Sequence, residues 1–367
     1  MTDAGLIQRA KALLDRLAET PRFAGSAEET KARAFCRKEL ERAGFSCAEL
    51  PFEYSQWPGR WGQPVAAAFQ AATILVVART AVHQGPLAAL IIGAALVTAL
   101  TLASGDARRR WTTQFPYQRA RSVNLEARRG NPNVWLVAHI DSKSQTVPML
   151  IRIVSAITLS VITAVAAVTL LVSLAWVSPP QPVWHWLEIA AVIGALPTML
   201  CWTRADSPGA VDNASGVAAV LLASEAAASA RDLGVLITSG EEIGLAGARV
   251  WAAQATAGML VINCDTVDDA GSWRCMYTGP KPGRIAAAAE TIALKLGLKL
   301  AIGRLILGIL ADSMAFADRG IESVTVSRAT LSTLARIHTR RDTSNALAGS
   351  GVAVASMLLS SLVEELN

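Results

Sequence analysis

Long apolar stretches are the feature of this sequence that most restricts how the chain can fold. Of its 367 residues, 52% are hydrophobic and 17% are charged, and the mean hydropathy is +0.36. That balance is too apolar for an ordinary soluble enzyme, and about 20 apolar residues are enough for a helix to cross a bilayer. We therefore predict membrane-spanning helices. The apolar stretches lie at residues 64–80, 86–104, 153–177 and 183–202.

The four stretches fall into two pairs, each with a short loop between its members. Residues 86–104 and 153–177 contain no charge, whereas 64–80 is short and contains Gln70, and 183–202 contains Glu188 and Pro197. A single apolar stretch could also form a buried core helix of a soluble protein. The pairing instead favours two transmembrane hairpins, at 64–104 and 153–202.

The positions of the basic residues predict the orientation in the membrane. The amino-terminal segment is amphipathic and charged, so it does not have the pattern of a signal peptide. Two hairpins cross an even number of times, which places all polar segments on one side, and by the positive-inside rule that side is cytoplasmic. We predict a multi-pass protein, of bacterial inner-membrane type, with the lipid bilayer as a partner. The basic residues are Arg60, Arg108, Arg109, Arg110, Arg152 and Arg204 beside the polar segments, against Arg79, His83 and His185 on the far side.

Cysteine usage and net charge fit this assignment. The five cysteines are odd in number and have no framework spacing, which suits a reducing compartment. The net charge of +5 is explained largely by the arginines next to the spans. No basic patch with interleaved aromatic residues is present in the sequence, so we predict no nucleic-acid partner. The sequence does not indicate an oligomeric state.

The remaining polar sequence predicts one domain formed from residues 1–63, 105–152 and 203–367. Apolar strands that alternate with helices indicate an α/β fold with a mostly parallel, mixed sheet and helices on both faces. Strands are predicted near 45–54 and at 122–128, 134–140, 234–239, 259–265 and 322–327. Helices are predicted up to about residue 44 and at about 214–228, 245–255, 284–297 and 345–366.

Potential metal ligands lie at the ends of these elements. Three of them, His139, Glu242 and Asp265, lie at or just beyond the carboxyl end of a predicted strand, where open α/β sheets form their ligand crevice. Asp212 precedes a predicted helix, and His338 lies in a polar segment before the last helix. These five residues form the donor set expected of a two-metal hydrolytic site.

Each of these residues also has a simpler explanation when it is considered alone. A single histidine after an apolar strand is more often a structural residue, and Asp212 could cap the helix that follows it. The adjacent carboxylates of Glu241 and Glu242 could lie in a solvated turn, and Asp342 or Ser344 could cap the last helix. Asp141 could orient the imidazole of His139, although it could equally bind the end of a neighbouring helix.

The combination of these residues favours the metal site over the separate explanations. The chain contains only four histidines, and two of them occupy positions that such a site requires. Imidazole and carboxylate donors suit zinc, and a bridging carboxylate can hold two ions about 3.5 to 4 Å apart. A cation near Glu241 and Glu242 would relieve the repulsion between them and leave one carboxylate free as a general base.

The ordered motifs AHID, GAVDNASG, GEEIG, NCD and HTRRDTS resemble those of a known enzyme family. They are similar to the co-catalytic zinc metallopeptidases of family twenty-eight (clan MH), which include bacterial leucyl aminopeptidase, aminopeptidase Y and glutamate carboxypeptidase II. The resemblance covers most of the polar chain and extends to the opening segment ETPRFAGSAEETKARAFCRKELERAGF. It implies a fold like that of the zinc exopeptidases.

The resemblance also implies a role for each residue. Asp212 would bridge two zinc ions, of which one is completed by His139 and Asp265 and the other by Glu242 and His338. Glu241 would be the general base, and Asp141 would orient His139. The implied activity is that of a membrane-anchored aminopeptidase acting on peptides. The alternatives are an acyltransferase with one zinc, like a glutaminyl cyclase, and a non-catalytic membrane scaffold of the same fold.

The sequence departs from the family pattern in two respects. The hairpin at 153–202 lies between Asp141 and Asp212, where the family has a short connection, and the hairpin at 64–104 interrupts the lead-in segment. Long insertions into loops add little closure entropy, so we expect the fold to tolerate both. In the segment ADSMAF, Asp312 is retained, but Ser313 or Met314 occupies the place of a histidine, which leaves the substrate preference open.

Overall fold

Polar and apolar segments of the chain separate into two compact units. The computed structural model describes residues 3–106, 110–176, 180–306 and 308–367. The first unit consists of Met1–Ser55, Gln118–Ser144 and Arg204–Asn367, and the second consists of Gln56–Tyr117 and Gln145–Thr203. The predicted hairpins at 64–104 and 153–202 both fall within the second unit.

The regular elements are numbered here in chain order. The helices are α1 (Ala4–Leu17), α2 (Ala27–Arg42), α3 (Trp57–His83), α4 (Pro86–Asp106), α5 (Thr112–Gln114), α6 (Met149–Ala175), α7 (Gln181–Met199), α8 (Ser215–Ala226), α9 (Ala246–Ala252), α10 (Gly283–Lys295), α11 (Ser313–Ala317), α12 (Leu331–Arg336) and α13 (Ser350–Leu366). The strands are β1 (Ser46–Ser55), β2 (Arg119–Arg129), β3 (Val134–His139), β4 (Ser144–Gln145), β5 (Thr203–Arg204), β6 (Leu233–Thr238), β7 (Leu260–Val267), β8 (Ser272–Tyr277), β9 (Leu300–Arg304) and β10 (Glu322–Ala329).

The first unit is built on one mixed sheet with the strand order β1-β2-β6-β3-β7-β10-β8-β9. The four central strands, β6, β3, β7 and β10, are mutually parallel, whereas β2 and β8 run antiparallel to their inner neighbours. Parallel strands end at the same edge of the sheet, so the residues that follow β3, β6 and β7 are brought together there. The predicted fold class, a mostly parallel mixed sheet, is confirmed.

Both faces of this sheet are covered by helices, which explains why its central strands are continuously apolar. Side chains alternate between the two faces of a strand. Trp135 and Val137 of β3 pack with Trp251 of α9 and Phe316 of α11. Leu136, on the opposite face of the same strand, is fully buried. Helices α8 and α13 also pack on β3, and neither contributes a residue to the cluster of Trp135 and Val137. The sheet is therefore buried on both sides, as its sequence predicts.

Several elements were not predicted from the sequence. Apart from elements of only two or three residues, they are β8, β9, α11 and α12. β8 and β9 form the far edge of the sheet, where β8 alternates between exposed and buried side chains and β9 is only partly buried. Their sequences therefore lack the continuous apolar run that identifies the central strands. The two helices are each only five or six residues long, which is too short for a periodic pattern.

The second unit consists mainly of four apolar helices, α3, α4, α6 and α7. α3 and α6 are each long and apolar enough to cross a membrane, and the described apolar part of α4, Pro86–Leu102, is shorter. Many large apolar side chains of this unit are exposed, and α6 alone presents Ile157, Val161 and Val168 at 55–59% exposure. In a water-soluble helix the exposed face is normally polar.

Polar residues inside the apolar stretches form pairs with one another within the second unit. Arg79 Nε lies 2.6 Å from Glu188 Oε1, and His185 Nδ1 lies 3.3 Å from the other oxygen of Glu188. Gln70 donates a hydrogen bond of 2.9 Å to Thr163 Oγ1. Polar side chains within apolar helices usually bond to each other in this way, because an unpaired polar group in an apolar medium costs several kcal/mol. Gln70 and Glu188, which interrupt the first and last apolar stretches, thus form contacts between helices: Gln70 joins α3 to α6, and Glu188 joins α7 to α3.

We predict that the parallel core of the first unit dominates its stability. Replacing Leu136 with alanine should lower the free energy of unfolding by about 2–5 kcal/mol, because it leaves a cavity between the sheet and the helices. Leu294→Ala, at a side chain that is 82% exposed, is the matched control and should change it by less than about 0.5 kcal/mol. Denaturant titration of the detergent-solubilised chain, monitored by tryptophan fluorescence, measures both changes. Equal effects of the two variants would contradict this picture of the core.

Candidate metal centre

The candidate ligands converge at the carboxyl edge of the parallel strands. His139 is the last residue of β3, and Asp265 lies near the end of β7. Glu241 and Glu242 lie in a short 3-10 turn that follows β6, and His338 lies in the loop after α12. All five predicted ligands and Glu241 are buried. The five ligands fall into two adjoining groups, and Glu241 lies beside His139.

The first group of ligands consists of His139, Asp212 and Asp265. His139 Nε2 lies 3.3 Å from Asp212 Oδ1 and 3.5 Å from Asp265 Oδ1. One ligand atom from each of the three residues falls within 4.8 Å of the other two. This spacing leaves room for a single cation at the centre of the group.

The second group consists of Asp212, Glu242 and His338. His338 Nε2 lies 3.1 Å from Asp212 Oδ2 and 3.2 Å from Glu242 Oε2. Asp212 therefore belongs to both groups and directs a different carboxylate oxygen into each. A carboxylate shared in this manner is what a bridging ligand between two neighbouring cations requires.

The chemistry of the donor set fits metal ions. Within the described part of the chain, the buried Nε2 atom of His139 has no hydrogen-bond partner of good geometry, although carboxylate oxygens lie close to it. Asp212, Glu241, Glu242 and Asp265 place four carboxylates in one buried site, where uncompensated charge is strongly unfavourable. Divalent cations would remove that penalty, and nitrogen and oxygen donors suit zinc.

The structure does not support helix capping as the role of Asp212 and Asp342. The residue before α8 is Ala214, and no side chain of the described residues caps that helix. Asp342 does not cap the last helix either, because Gly349 precedes α13. The Asp342 carboxylate instead accepts hydrogen bonds from the backbone amides of Val211, at 2.8 Å, and Asp212, at 3.1 Å. Asp342 thus fixes the backbone of the residue shared by the two groups.

Asp141 acts in a different way from the one expected from the sequence. His139 Nδ1 lies 3.0 Å from the backbone carbonyl oxygen of Asp141, whereas the nearest carboxylate oxygen of Asp141 is 3.7 Å away. The carboxylate accepts hydrogen bonds from the backbone amides of Glu241 and Glu242, each at 3.2 Å. The alternative that Asp141 binds the end of a neighbouring helix describes these contacts, because the two amides belong to the 3-10 turn.

Three further polar residues that the sequence analysis did not assign to the site lie beside it. Lys143 Nζ is 2.9 Å from Glu242 Oε2. Asp312 is fully buried and accepts a 2.5 Å hydrogen bond from Thr238, the last residue of β6. Glu29 of α2 is buried as well and accepts hydrogen bonds from Ser239 and Ser122. These contacts join residues far apart in the sequence, so no local pattern identifies them.

The close packing of charges shifts the pKa values of the site in the protein without metal. Burial, together with Asp265 and Glu242, raises the pKa of the Glu241 carboxyl well above its usual range. Burial opposes ionisation of Asp212, but contacts with His139 and His338 outweigh it and hold the pKa of Asp212 below its ordinary value.

The pKa values of both imidazoles are raised, whereas burial alone would lower them. Burial favours the neutral form, yet Glu241 and Asp212 raise the pKa of His139 well above its usual value. Glu242 and Asp212 likewise raise the pKa of His338 against the effect of burial. Without metal, protons on the imidazoles therefore compensate part of the carboxylate charge.

We predict that metal binding releases protons, because the imidazoles of His139 and His338 are protonated in the metal-free protein. Because both pKa values are raised above the ordinary histidine value, the imidazoles of the metal-free protein hold protons at about pH 6 that a cation must displace. The affinity for Zn²⁺ should therefore rise with pH above 6.5 until these raised pKa values are passed. Calorimetric titration in buffers of different ionisation enthalpy measures the number of protons released.

A variant at one imidazole provides the control for this titration. His338→Gln removes one titrating ligand, so it should release about one proton fewer per chain than the unaltered protein at the same pH. Zinc binding at about pH 6 without proton release would show that the imidazoles are already neutral, contrary to the raised pKa values.

A known protein family matches the part of the chain that carries most of the candidate ligands. Residues 184–363 match the model of peptidase family M28, and this segment contains Asp212, Glu241, Glu242, Asp265 and His338. It begins after His139 and Asp141, which lie before the second hairpin. No curated protein sequence matches the chain at a significant level.

Solved structures match the fold over almost the whole chain. An aminopeptidase from Aneurinibacillus sp. strain AM-1 aligns with a TM-score of 0.60 at 15% identity, covering 100% of this chain and 94% of that one. BSAP, a zinc aminopeptidase from Bacillus subtilis, aligns with a TM-score of 0.58 at 14% identity, covering 98% and 94%. A glutaminyl cyclase from Fimbriiglobus ruber aligns with a TM-score of 0.55 at 13% identity, covering 100% and 97%.

These comparisons agree with the order of the motifs and with the arrangement of the carboxylates and imidazoles. At such low identities the solved structures establish the fold alone, whereas the family model matches the segment that carries most of the candidate ligands. Residues 184–363 carry the match to peptidase family M28, and on this match and its fold the chain is a metallo-exopeptidase, a hydrolase.

Proposed function

We propose that this enzyme is an aminopeptidase that uses two zinc ions to remove amino-terminal residues from peptides. The observation that carries the proposal is the position of Asp212, whose two oxygens face His139 and His338 separately. The similarity to the aminopeptidase from Aneurinibacillus and to the zinc aminopeptidase from Bacillus subtilis supports it. Zinc as the metal follows from the nitrogen and oxygen donors.

The two groups of ligands define where the ions would be held. His139, Asp212 and Asp265 would hold one ion, and Asp212, Glu242 and His338 would hold the other. Two bound zinc ions would supply an activated water and would polarise the carbonyl of the scissile peptide. The ligand residues fix these positions and, being buried, exclude other water from them.

Glu241 is proposed to be the general base. It is the buried carboxylate next to Glu242 that belongs to neither group of ligands, and its Oε2 lies 3.9 Å from His139 Nε2. A carboxylate in this position can take the proton of the attacking water and then transfer it to the leaving amine. Burial raises its pKa in the metal-free protein, which makes it a stronger base than a solvated carboxylate.

Asp141 is proposed to be a positioning residue for this base. Its carboxylate accepts hydrogen bonds from the amides of Glu241 and Glu242, and its carbonyl oxygen accepts one from His139 Nδ1. One residue thereby sets the relative positions of the base and two ligands. A free amino group on the substrate is an additional nitrogen donor for such a centre, which is the basis for preferring amino-terminal residues.

Replacement of Glu241 by glutamine tests the proposed mechanism. The variant should lose about 10²–10⁴-fold in kcat on aminoacyl-arylamides while it retains its zinc, because the amide cannot accept the proton. The control is Glu290→Gln, an exposed carboxylate remote from the ligands, which should leave activity unchanged. Hydrolysis by the detergent-solubilised protein and its zinc content are measured on the same samples.

The result of these assays also separates the aminopeptidase from its alternatives. About two zinc ions per chain together with released amino acids support the proposal. About one zinc per chain, with a cyclised product from peptides with amino-terminal glutamine, would instead support a glutaminyl cyclase, for which the similarity to the Fimbriiglobus ruber enzyme is the argument. Full activity of Glu241→Gln would contradict the assigned base, and absence of any activity would favour a scaffold.

We further propose that the second unit anchors the enzyme in a membrane as two helical hairpins, with the catalytic unit in the cytoplasm. The outward apolar face of α6 and the pairing of Arg79 with Glu188 support the spans. Tryptophan residues near the ends of the helices add support, because they favour the membrane–water interface. Trp57, Trp61 and Trp202 lie at one end of the helices, whereas Trp176 directly follows α6 and Trp186 lies in the second turn of α7 at the other end.

Fractionation of expressing bacterial cells tests the membrane assignment. The chain should remain in the membrane pellet after alkaline carbonate extraction and should dissolve in detergent, because four apolar helices cannot be extracted by high pH alone. A reporter that works only in the cytoplasm should be active when it is fused to the carboxyl terminus. A reporter that works only outside the cytoplasm should be inactive there. Release by carbonate would contradict the spans, and a reporter active outside would contradict the orientation alone.

A further inference from the structure

The backbone around the metal ligands is interrupted by the second hairpin. The chain leaves the first unit after Ser144 and re-enters it at Arg204, between His139 and Asp212. Two segments of the first unit therefore form the base of the insertion: residues 140–144, which follow His139, and residues 204–209, which precede Asp212. Something must hold these segments together, since a long connection does not fix their relative position as a short one would.

Arg22 lies between these two segments. The residue is 1% exposed and belongs to the connection between α1 and α2. Its Nε donates a 2.9 Å hydrogen bond to the carbonyl of Ile140, on the outgoing segment. Its Nη1 and Nη2 donate to the carbonyls of Pro208, at 2.6 Å, and Gly209, at 3.1 Å, on the returning segment. One guanidinium group thus bonds to both sides of the insertion.

The backbone of Arg22 and the side chain of Ser142 add to this connection. Arg22 N donates to Ser142 Oγ at 3.0 Å, and Ser142 N donates to the carbonyl of Arg22 at 3.0 Å. Ser142 Oγ in turn donates to the carbonyl of Ser207 at 2.9 Å. The outgoing and returning segments are therefore joined by a continuous set of hydrogen bonds centred on Arg22.

The returning segment leads directly to the shared ligand. Gly209 has φ of +61°, and a Cβ at this position would lie 2.5 Å from the carbonyl oxygen of Asp212 and 2.5 Å from Ser142 Cβ. The turn is therefore packed tightly between Ser142 and Asp212. Arg22 binds the carbonyls at the start of the turn, and Asp342 binds the amides of Val211 and Asp212 at its end.

We propose that Arg22 is a positioning residue of the metal centre, which holds His139 and Asp212 in register across the inserted hairpin. An arginine suits this task because its planar guanidinium presents several donors in fixed directions, so it can bind carbonyls on separate segments at once. Burial lowers the pKa of Arg22 to about 10, so it remains charged at neutral pH. The inference rests on the proposed metal centre but not on the identity of the substrate.

The test compares two arginines that bind carbonyls in the same manner. Arg129 of β2 donates to the carbonyls of Ala230, Ala43 and Ser224, with no contact to the ligand segments among these bonds. Arg22→Met and Arg129→Met each remove the hydrogen bonds from one guanidinium group to its backbone carbonyls. Arg22→Lys keeps the positive charge but removes the planar guanidinium that binds several carbonyls at once. Binding of Zn²⁺ and Co²⁺ to the metal-free full chain in detergent is measured by calorimetry and cobalt absorption, and unfolding is measured in parallel.

Arg22→Met should weaken metal binding at least tenfold and alter the cobalt spectrum, and Arg22→Lys should recover only part of the affinity. Arg129→Met should lower the unfolding temperature but leave the metal affinity within twofold of the original. If Arg22→Met does not fold, Ser142→Ala carries the test, with an expected loss of at least threefold in affinity. Unchanged affinity in the folded variants at Arg22 and Ser142, or equal losses in Arg129→Met, would overturn the assignment.

These outcomes are separate from those of the proposed activity. A protein that binds two metal ions in the way predicted here but cleaves no peptide would contradict the aminopeptidase and leave the role of Arg22 standing. A protein that cleaves peptides while the Arg22 variants bind metal normally would contradict the role of Arg22 alone.

Discussion

Repulsion among buried carboxylates is the constraint on which the rest of the catalytic unit depends. Asp212, Glu241, Glu242 and Asp265 lie at one edge of the sheet with two imidazoles between them, and water is largely excluded. Carboxylates in such a place are stable only if protons or cations offset their charge. In the metal-free protein the pKa values of His139 and His338 are raised, and the protons that these imidazoles keep offset part of the carboxylate charge. Two divalent ions would provide it more completely, and the same charges would then serve hydrolysis.

The parallel sheet supplies the geometry that this arrangement needs. β3, β6 and β7 end at one edge, so a histidine, two glutamates and an aspartate meet there although they are far apart in the chain. Asp212 and His338 come from loops and need separate support. Asp342 holds the amides of the loop that carries Asp212, and Arg22 binds its carbonyls. The ligand positions thus depend on buried polar contacts as much as on the strands.

Much of the site could be predicted from the sequence because its signals are local. His139 and Asp265 lie at or near the carboxyl ends of apolar strands. The adjacent carboxylates Glu241 and Glu242 come soon after a third apolar strand. The supporting residues could not be predicted in the same way. Arg22 and Asp342 act through contacts with segments more than a hundred residues away, and both look like ordinary loop residues. Asp141 was identified as a partner of His139, but its carboxylate bonds to the turn of Glu241 and Glu242.

The same distinction holds for the fold. The central strands and the long helices have periodic or continuous apolar patterns, whereas the edge strands β8 and β9 are half exposed and gave no clear pattern. In the second unit, Gln70 and Glu188 made two helices harder to identify as membrane spans. Their partners, Thr163 and Arg79, lie in other helices, so only the packed structure explains them.

The central claim is that Asp212 bridges two metal ions, and a crystal structure of the zinc-loaded enzyme with anomalous diffraction at the zinc edge tests it most directly. The proposal predicts two anomalous peaks about 3.5–4 Å apart, one beside each oxygen of Asp212. His139 and Asp265 would contact one peak, and Glu242 and His338 the other. A single peak in fully loaded crystals, or two ions that Asp212 does not join, would contradict the claim.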